Sequence, residues 1–498
     1  MELPFEKTVC RYWKQKLYTL VNREETQELK LPDSMPDVGR IISSWGQVIL
    51  RGKDWHDRGV GISGGVMVWV LYSPEDGGAL QRLESWIPFQ ARADFPDSAG
   101  DGAIRVETFL RSMDARAVSS RKIMLRAGIG MLVQALIPDE MELFTLGELP
   151  EDLETKIERY PFVLTREAGE KQFLMDEDLN LSAGIPQVEQ LVYYRMSPEI
   201  LEQKVLGSKA AFRGMGNLHV LYIDPEGRLN GTDFQVPFAQ YVDLDGEYEA
   251  DAQVSNLLCV TSLELDREQD GSLHLKCGLV SQHIINSQET VELLQDCYSP
   301  CRQVDLEKEL VSVPAWLEEQ QRSVDLSASF SGEDGQPIDL IFFPDAPNVK
   351  SRSGAVELEL GGVFQTVMLD KSGSYSAKTE RCAQELHMDT ECSTICFPAV
   401  SGGVSCRSEA GSWRTDTRVV LDLSSLCSQP MEMVTGVKLG EATSPDPERP
   451  SVIIRSRGRE DSLWDLAKRC GSTVGAIRRL NKLEGEPEED RLLLIPVI

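Results

Sequence analysis

The sequence predicts a mainly β protein, with tandem β-sandwich or barrel-like modules followed by a small βααβ domain. Three observations carry this expectation. Short β-branched and aromatic runs alternate with Gly, Pro and Asp turns through most of the chain. One such run, Gly64-Gly65-Val66-Met67-Val68-Trp69-Val70-Leu71-Tyr72, comes back in part at fixed offsets. From residue 451 the pattern changes to two short amphipathic helices between apolar strands.

The offsets define a period. Val220-Leu221-Tyr222 lies 150 residues after Val70-Leu71-Tyr72. Leu31, Pro36, Val38 and Ile41 match Leu181, Pro186, Val188 and Leu191 at the same 150, and Pro88-Phe89 matches Pro237-Phe238 at 149. Ile123–Gly128 matches Leu273–Gly278 at 150 and Val419–Leu423 at 296. Gly361-Gly362-Val363-Phe364 follows Gly64-Gly65-Val66-Met67 by 297, but this third unit has no Pro-Phe and no copy of the opening segment. Solenoid repeats run about 20–50 residues and cannot fold singly. A period near 150 is a whole domain, so each module is expected to hold its own core and to fold independently.

In chain order, residues 1–30 read as a partly helical lead, with Leu20, Val21 and Leu29 docking on the first module. Module one spans 31–150. It has a short helix over Asp37–Ser44, strands near Gly46–Leu50, Val60–Tyr72, Arg82–Phe89, Arg105–Ala117 and Arg121–Leu136, and a hairpin signal at Asp76-Gly77-Gly78. Asp224-Pro225-Glu226-Gly227 takes the same place in module two, residues 175–300. Glu151–Glu158 reads as a short helix or linker, and Val311–Gln320 as a helix anchored by Trp316 and Leu317. Module three spans 323–440. The three prolines of residues 441–450 form a stiff linker.

The last segment, 451–498, opens on the strand Val452-Ile453-Ile454. Asp461 or Ser462 caps a helix, with Ser462 and Asp465 as a capping box. Leu463, Leu466 and Ala467 share one face, and Gly471 ends the helix. Thr473 caps a second helix carrying Val474, Ile477 and Leu480, which Asn481 ends, and Leu492–Ile495 closes the unit before Pro496.

The net charge of −29 argues against nucleic acid as a partner. Residues 451–498 carry nine Lys/Arg against eight Asp/Glu, so the acidity belongs to the other 450 residues. The N-terminus has no apolar h-region, and no run approaches a membrane span. The expectation is a protein that stays in the reducing cytoplasm where it is made, with its eleven cysteines unpaired. Cys297/Cys301 and Cys392/Cys396 lack zinc spacing and nearby His, so neither a metal nor a cofactor is expected.

Catalytic signatures are missing. Gly61-Ile62-Ser63-Gly64-Gly65 matches G-x-S-x-G but runs into a strand, where that motif does not work. There is no P-loop and no H-E-x-x-H. His56, His219, His274, His283 and His387 stand apart in sequence and read as surface or strand residues. No enzymatic activity is expected.

Two resemblances add to this reading. Asp461-Ser462-Leu463-Trp464-Asp465-Leu466-Ala467, Thr473-Val474, Leu480-Asn481-Lys482-Leu483 and Leu493-Leu494-Ile495-Pro496 resemble a LysM domain. That implies a βααβ fold which often binds N-acetylglucosamine polymers. Glu460 and Asp490 stand where the family usually has glycines, near the loops that border a sugar groove. The candidate ligand- or partner-binding residues are therefore Glu460, Asp461, Ser462, Leu463, Trp464, Ile477, Asn481, Lys482, Leu483 and Asp490. The Leu31–Pro36 segment, Val70-Leu71-Tyr72, Pro88-Phe89 and Arg121-Lys122 are similar to the SPOCS domain of endospore-forming bacteria. Tandem SPOCS modules ending in one LysM imply a spore-coat adaptor in the mother cell, at the forespore surface. It would tether the coat by binding the SpoIVA-like ATPase of the coat basement layer, and other coat proteins, with the LysM contacting the ATPase. The competing expectation is a wall protein that binds peptidoglycan through the LysM.

Overall fold

The computed structural model describes residues 5–146, 150, 152–332, 335–352, 354–390, 392–442, 450–456, 458, 462–483, 485 and 491–498. The protein is mainly β, as expected, and its sheets are open, with no closed barrel among the described residues.

Three sets of strands follow one plan. The first contains β1 (Phe5–Lys30), β2 (Val38–His56), β3 (Gly59–Pro74), β4 (Gln81–Asp94), β5 (Ala103–Ser119) and β6 (Lys122–Leu146). The second contains β7 (Glu154–Leu179), β8 (Gln190–Ile223), β9 (Leu229–Tyr248), β10 (Gln253–Arg267) and β11 (Leu273–Tyr298). The third contains β12 (Arg302–Ser331), β13 (Gln336–Pro344), β14 (Asn348–Arg352), β15 (Ala355–Leu369), β16 (Tyr375–Asp389), β17 (Ser393–Glu409) and β18 (Ser412–Ala442). In each set the long first strand pairs antiparallel with the long last one, which also takes the penultimate strand: β1-β6-β5, β7-β11-β10 and β12-β18-β17. A second sheet holds the middle strands: β2-β3-β4, β8-β9, and β13-β15-β14 with β16. The chain bends within β8 at Gly207 (φ 62°). Beyond the bend, Arg213 pairs with Glu202 and Asn217 donates to Glu199, so the two halves of β8 lie side by side as β2 and β3 do.

This pairing corrects four local readings. The lead is not helical, because β1 pairs with β6 from Phe5↔Leu146 to Lys30↔Lys122. Asp37–Ser44 is not a helix either, as Val38–Ser44 belong to β2. Glu154–Glu158 opens β7, and Val311–Gln320 lies inside β12, paired with β18. The partners of β1, β7 and β12 come from about 90–145 residues away, and that of Val38–Ser44 from about 30; in each case sheet packing overrides local propensity. The proline-rich linker lies mostly outside the described residues, since β18 ends at Ala442.

The repeated landmarks have structural causes. Gly64 sits opposite Phe89 and Gly65 opposite Pro88, and Gly214 sits opposite Phe238 in the same way. A Cβ at Gly64 would collide with the Ile49 carbonyl and the Phe89 ring, and one at Gly214 with the Glu199 carbonyl and the Phe238 ring. The third set lacks Pro-Phe, yet Gly362 is covered by the Phe342 ring and the Phe343 carbonyl. The ring arrives from β13 instead of the following strand. The Arg121 side chain donates to the carbonyls of Met35 (2.6 Å) and Pro32 (2.8 Å) and pairs with Asp37 (2.9 Å), which fixes the turn over residues 31–37.

The cores are not separate. One apolar cluster joins the first two sets, for example Trp45, Trp69 and Val133 with Tyr193, Leu221 and Leu275, and takes Ile341, Phe343 and Val367 from the third. Trp45 stacks on Tyr193 with ring centroids 5.3 Å apart. Cys10 and Leu143, Phe162, Leu164 and Leu293, and Val313, Met431 and Met433 make another cluster where the three long hairpins meet. The penultimate strands close a ring of contacts, β10 on β2, β5 on β13 and β17 on β8.

Eleven cysteines in the sequence were expected to be unpaired, but Cys392 and Cys427 form a disulfide, with Cα atoms 4.5 Å apart. Ser393 pairs with Leu426, so the two cysteines face each other across β17 and β18. Sequence could not show this, because 35 residues separate them.

Candidate functional site

The C-terminal unit consists of β19 (Val452–Ser456), α1 (Leu463–Cys470), α2 (Val474–Asn481) and β20 (Leu492–Pro496). Ser462 caps α1, accepting from the Asp465 amide at 3.2 Å while the Asp465 carboxylate accepts from the Ser462 amide at 3.1 Å. The Ser462 hydroxyl also donates to the Asp465 carboxylate at 2.5 Å, and this bond first, with the one from the Ser462 amide, holds the Asp465 carboxyl below its ordinary range. Gly471 ends the helix in the left-handed region (φ 63°). Thr473 caps α2. Lys482, not Asn481, takes the left-handed position at its end (φ 54°).

Asn481 has a different task. Its side-chain amide donates to the Leu494 carbonyl at 2.6 Å, and its side-chain oxygen accepts from the Leu494 amide at 2.8 Å. One side chain thereby closes the outer edge of β20 and satisfies both backbone groups. Leu463 and Ile477 are fully buried with Leu466, Ala467, Leu493 and Ile495. Neither is offered to a partner. Leu480, carried on α2 as expected, is exposed. Leu483 packs against the core's margin, and Lys482 is exposed. Glu460, Asp461 and Asp490 lie outside the described residues, and with them the loop positions that would border a sugar groove.

Trp464 is committed within the chain. Its ring meets Tyr298 edge-on at 4.8 Å, and its indole N–H donates to Asp296 at 2.8 Å. Lys468 also donates to Asp296, at 2.7 and 2.8 Å. Tyr298 is 4 % exposed and belongs to the apolar core of the C-terminal unit, and its hydroxyl donates to the Ser472 carbonyl at 3.0 Å. Burial, then the charges of Glu154 and Asp296, raise the Tyr298 phenol well above its ordinary value, so it stays a donor. The C-terminal unit is therefore seated on the end of β11 through α1.

Ser63 lies inside β3, paired with Gly52 and Gln90, and not on a strand-to-helix turn. His219, on β8, places one ring nitrogen 2.7 Å from Asp233 on β9 and the other 2.7 Å from Asp339 on β13. Burial alone would lower its pKa. The charge of Asp339 and the hydrogen bonds to both carboxylates outweigh burial and raise it to about 10. Both nitrogens are occupied by carboxylates, so this imidazolium ties two strand sets together and does not serve as a base. Sequence reasoning missed it because its partners come from two other strands. Among the described residues no group of His, Cys, Asp and Glu could hold a metal ion. No helix among them is long and apolar enough to cross a membrane.

The geometry defines a multi-unit β protein that carries a capped βααβ module. Comparison with protein families identifies the parts. Residues 187–260, covering β8, β9 and half of β10, match the SipL, SPOCS domain. Residues 458–486 match the LysM domain. The chain thus combines a SipL-type SPOCS domain with a C-terminal LysM domain, both of them non-catalytic binding domains, as fits a sporulation-related protein with a peptidoglycan-binding type of module. No curated protein and no solved structure matches the chain.

Proposed function

We propose that the protein is a non-enzymatic adaptor of spore-coat morphogenesis. It tethers the coat basement layer to the forespore surface from the mother-cell side, and its LysM domain contacts the SpoIVA-like ATPase of that layer. The domain combination carries this reading: a SipL-type SPOCS domain and a terminal LysM in one chain. The seat of Trp464 on Tyr298 supports it, because the LysM residue best suited to stack on a sugar is half-buried and already packs against another part of the chain. The LysM match itself favours a second reading, binding of peptidoglycan or its N-acetylglucosamine units. A pull-down from sporulating cells, with the full chain and with a chain ending at residue 450, tests both. The adaptor reading expects the ATPase only with the full chain. Capture of peptidoglycan fragments without the ATPase would overturn it in favour of the second.

A further inference from the structure

The outward face of the β19–β20 hairpin is apolar and has no cover among the described residues. Leu493 and Ile495 point into the core, so Leu492 and Leu494 point out, with 69 % and 40 % of their surface exposed. Across the hairpin Val452 is 46 % and Ile454 63 % exposed. The register sets Ile454 opposite Leu494 and Val452 opposite Pro496. Four of the 14 exposed large hydrophobics among the described residues, Val452, Ile454, Leu492 and Leu494, share this one face of two five-residue strands. That is a patch, not the usual scatter of single apolar residues.

Two further features surround it. Among the described residues β19 pairs only with β20, so its far edge offers backbone groups unpaired by any of them, whereas the far edge of β20 is closed by Asn481. Arg455, Arg478, Arg479, Lys482 and Arg491 are all exposed, and none has an ion pair with a described residue. Arg455 and Arg491 adjoin the patch in sequence, and Asn481 ties the cationic end of α2 to β20.

We propose that this face and the β19 edge form a docking surface for an extended segment of a partner protein. The segment would add a strand to β19, lay apolar side chains over Ile454, Leu492 and Leu494, and set carboxylates against the cationic rim. The proposal deepens the adaptor reading and rests on its claim that the LysM ligand is a protein. A glycan fits this face poorly, because Ser456 is its only hydroxyl and polyhydroxylated ligands need hydrogen-bonding side chains. An anionic membrane would satisfy the cations and the aliphatic groups but would leave the backbone edge of β19 unpaired in an apolar medium, which is costly.

The test uses the full chain and its Ile454→Glu/Leu492→Glu variant. The probes are the purified coat-basement ATPase, phosphatidylglycerol vesicles and an N-acetylglucosamine oligomer. Both substituted residues are exposed, so the melting temperature should not change. The expected result is ATPase binding weakened by about 30-fold or more, the scale of an interface hot spot. Hydrogen exchange of the wild-type chain should show new protection on β19 when the ATPase is added. Protection elsewhere in the LysM, with unchanged affinity of the variant, would overturn this surface and leave the adaptor reading standing. Absence of any protection within 451–498 would overturn that reading as well. Loss of vesicle or oligomer binding in the variant, with ATPase binding intact, would replace the protein partner by a membrane or a glycan.

Discussion

The Tyr72 hydroxyl donates to the carbonyl oxygen of Pro36 at 2.9 Å, and Tyr222 makes the same bond to Pro186 at 2.9 Å. Each bond spans 36 residues, and both tyrosine rings are fully buried. The landmarks that repeat in sequence are thus two ends of one interaction, the strand residue and the turn it holds. Replacing Tyr72 or Tyr222 by Phe keeps the ring and strands a turn carbonyl. Each change should lower stability by about 1 kcal/mol, read from urea unfolding, and the two effects should add, since the sites share no partner.

The shared core bears on folding. The sequence period suggested modules that fold alone, but Trp45 and Trp69 pack on Tyr193 of the second set. A fragment of residues 25–150 also lacks most of β1 and leaves one edge of β6 bare. Such a fragment should show β-rich far-UV circular dichroism without fixed near-UV signals, and should bind an apolar dye. A cooperative unfolding transition in that fragment would show that the units are independent after all.

What was legible in the sequence follows from range. The C-terminal unit was read well because Ser462, Asp465, Gly471 and Thr473 act within one turn of the helices they cap. The β1 and β12 regions were misread because their strands run 26 and 30 residues, far beyond the usual 3–10, and their partners lie far along the chain. Phe342 replaces the missing Pro-Phe ring from another strand, which no in-register comparison could reveal. Leu463 and Ile477 were sound as helix-face residues but not as partner anchors. A single amphipathic helix does not say whether its apolar face meets its own domain or another protein.

The bridge from His219 to Asp233 and Asp339 should make stability depend on pH. Its folded pKa, about 10, lies above the ordinary imidazole value of 6.5. The folded state therefore binds the proton more tightly than the unfolded one. The stabilisation is complete below pH about 6.5, declines as pH rises, and is gone above about 10. Chemical denaturation of the wild type and of His219→Gln across pH 6 to 10 isolates it. The difference between the two should shrink steadily with pH, and a constant difference would show that the histidine is not charged in the folded protein.

The contact of Trp464 and Lys468 with Asp296 fixes the LysM domain to the end of β11. Asp296→Ala removes the acceptor of the indole N–H and the counter-ion of Lys468, and should weaken this seat by about 1–3 kcal/mol. The two helices hold their caps without it, so the domain itself should stay folded. The expected signs are a red-shifted Trp464 emission and faster proteolysis between Ala442 and Val452, with little change in the main unfolding transition. Asp296→Asn keeps an acceptor for the indole and should retain more of the seat than Ala. If both variants match the wild type in proteolysis and emission, then the burial of Tyr298 against Leu463 and Ile495 holds the domain in place without the polar contacts.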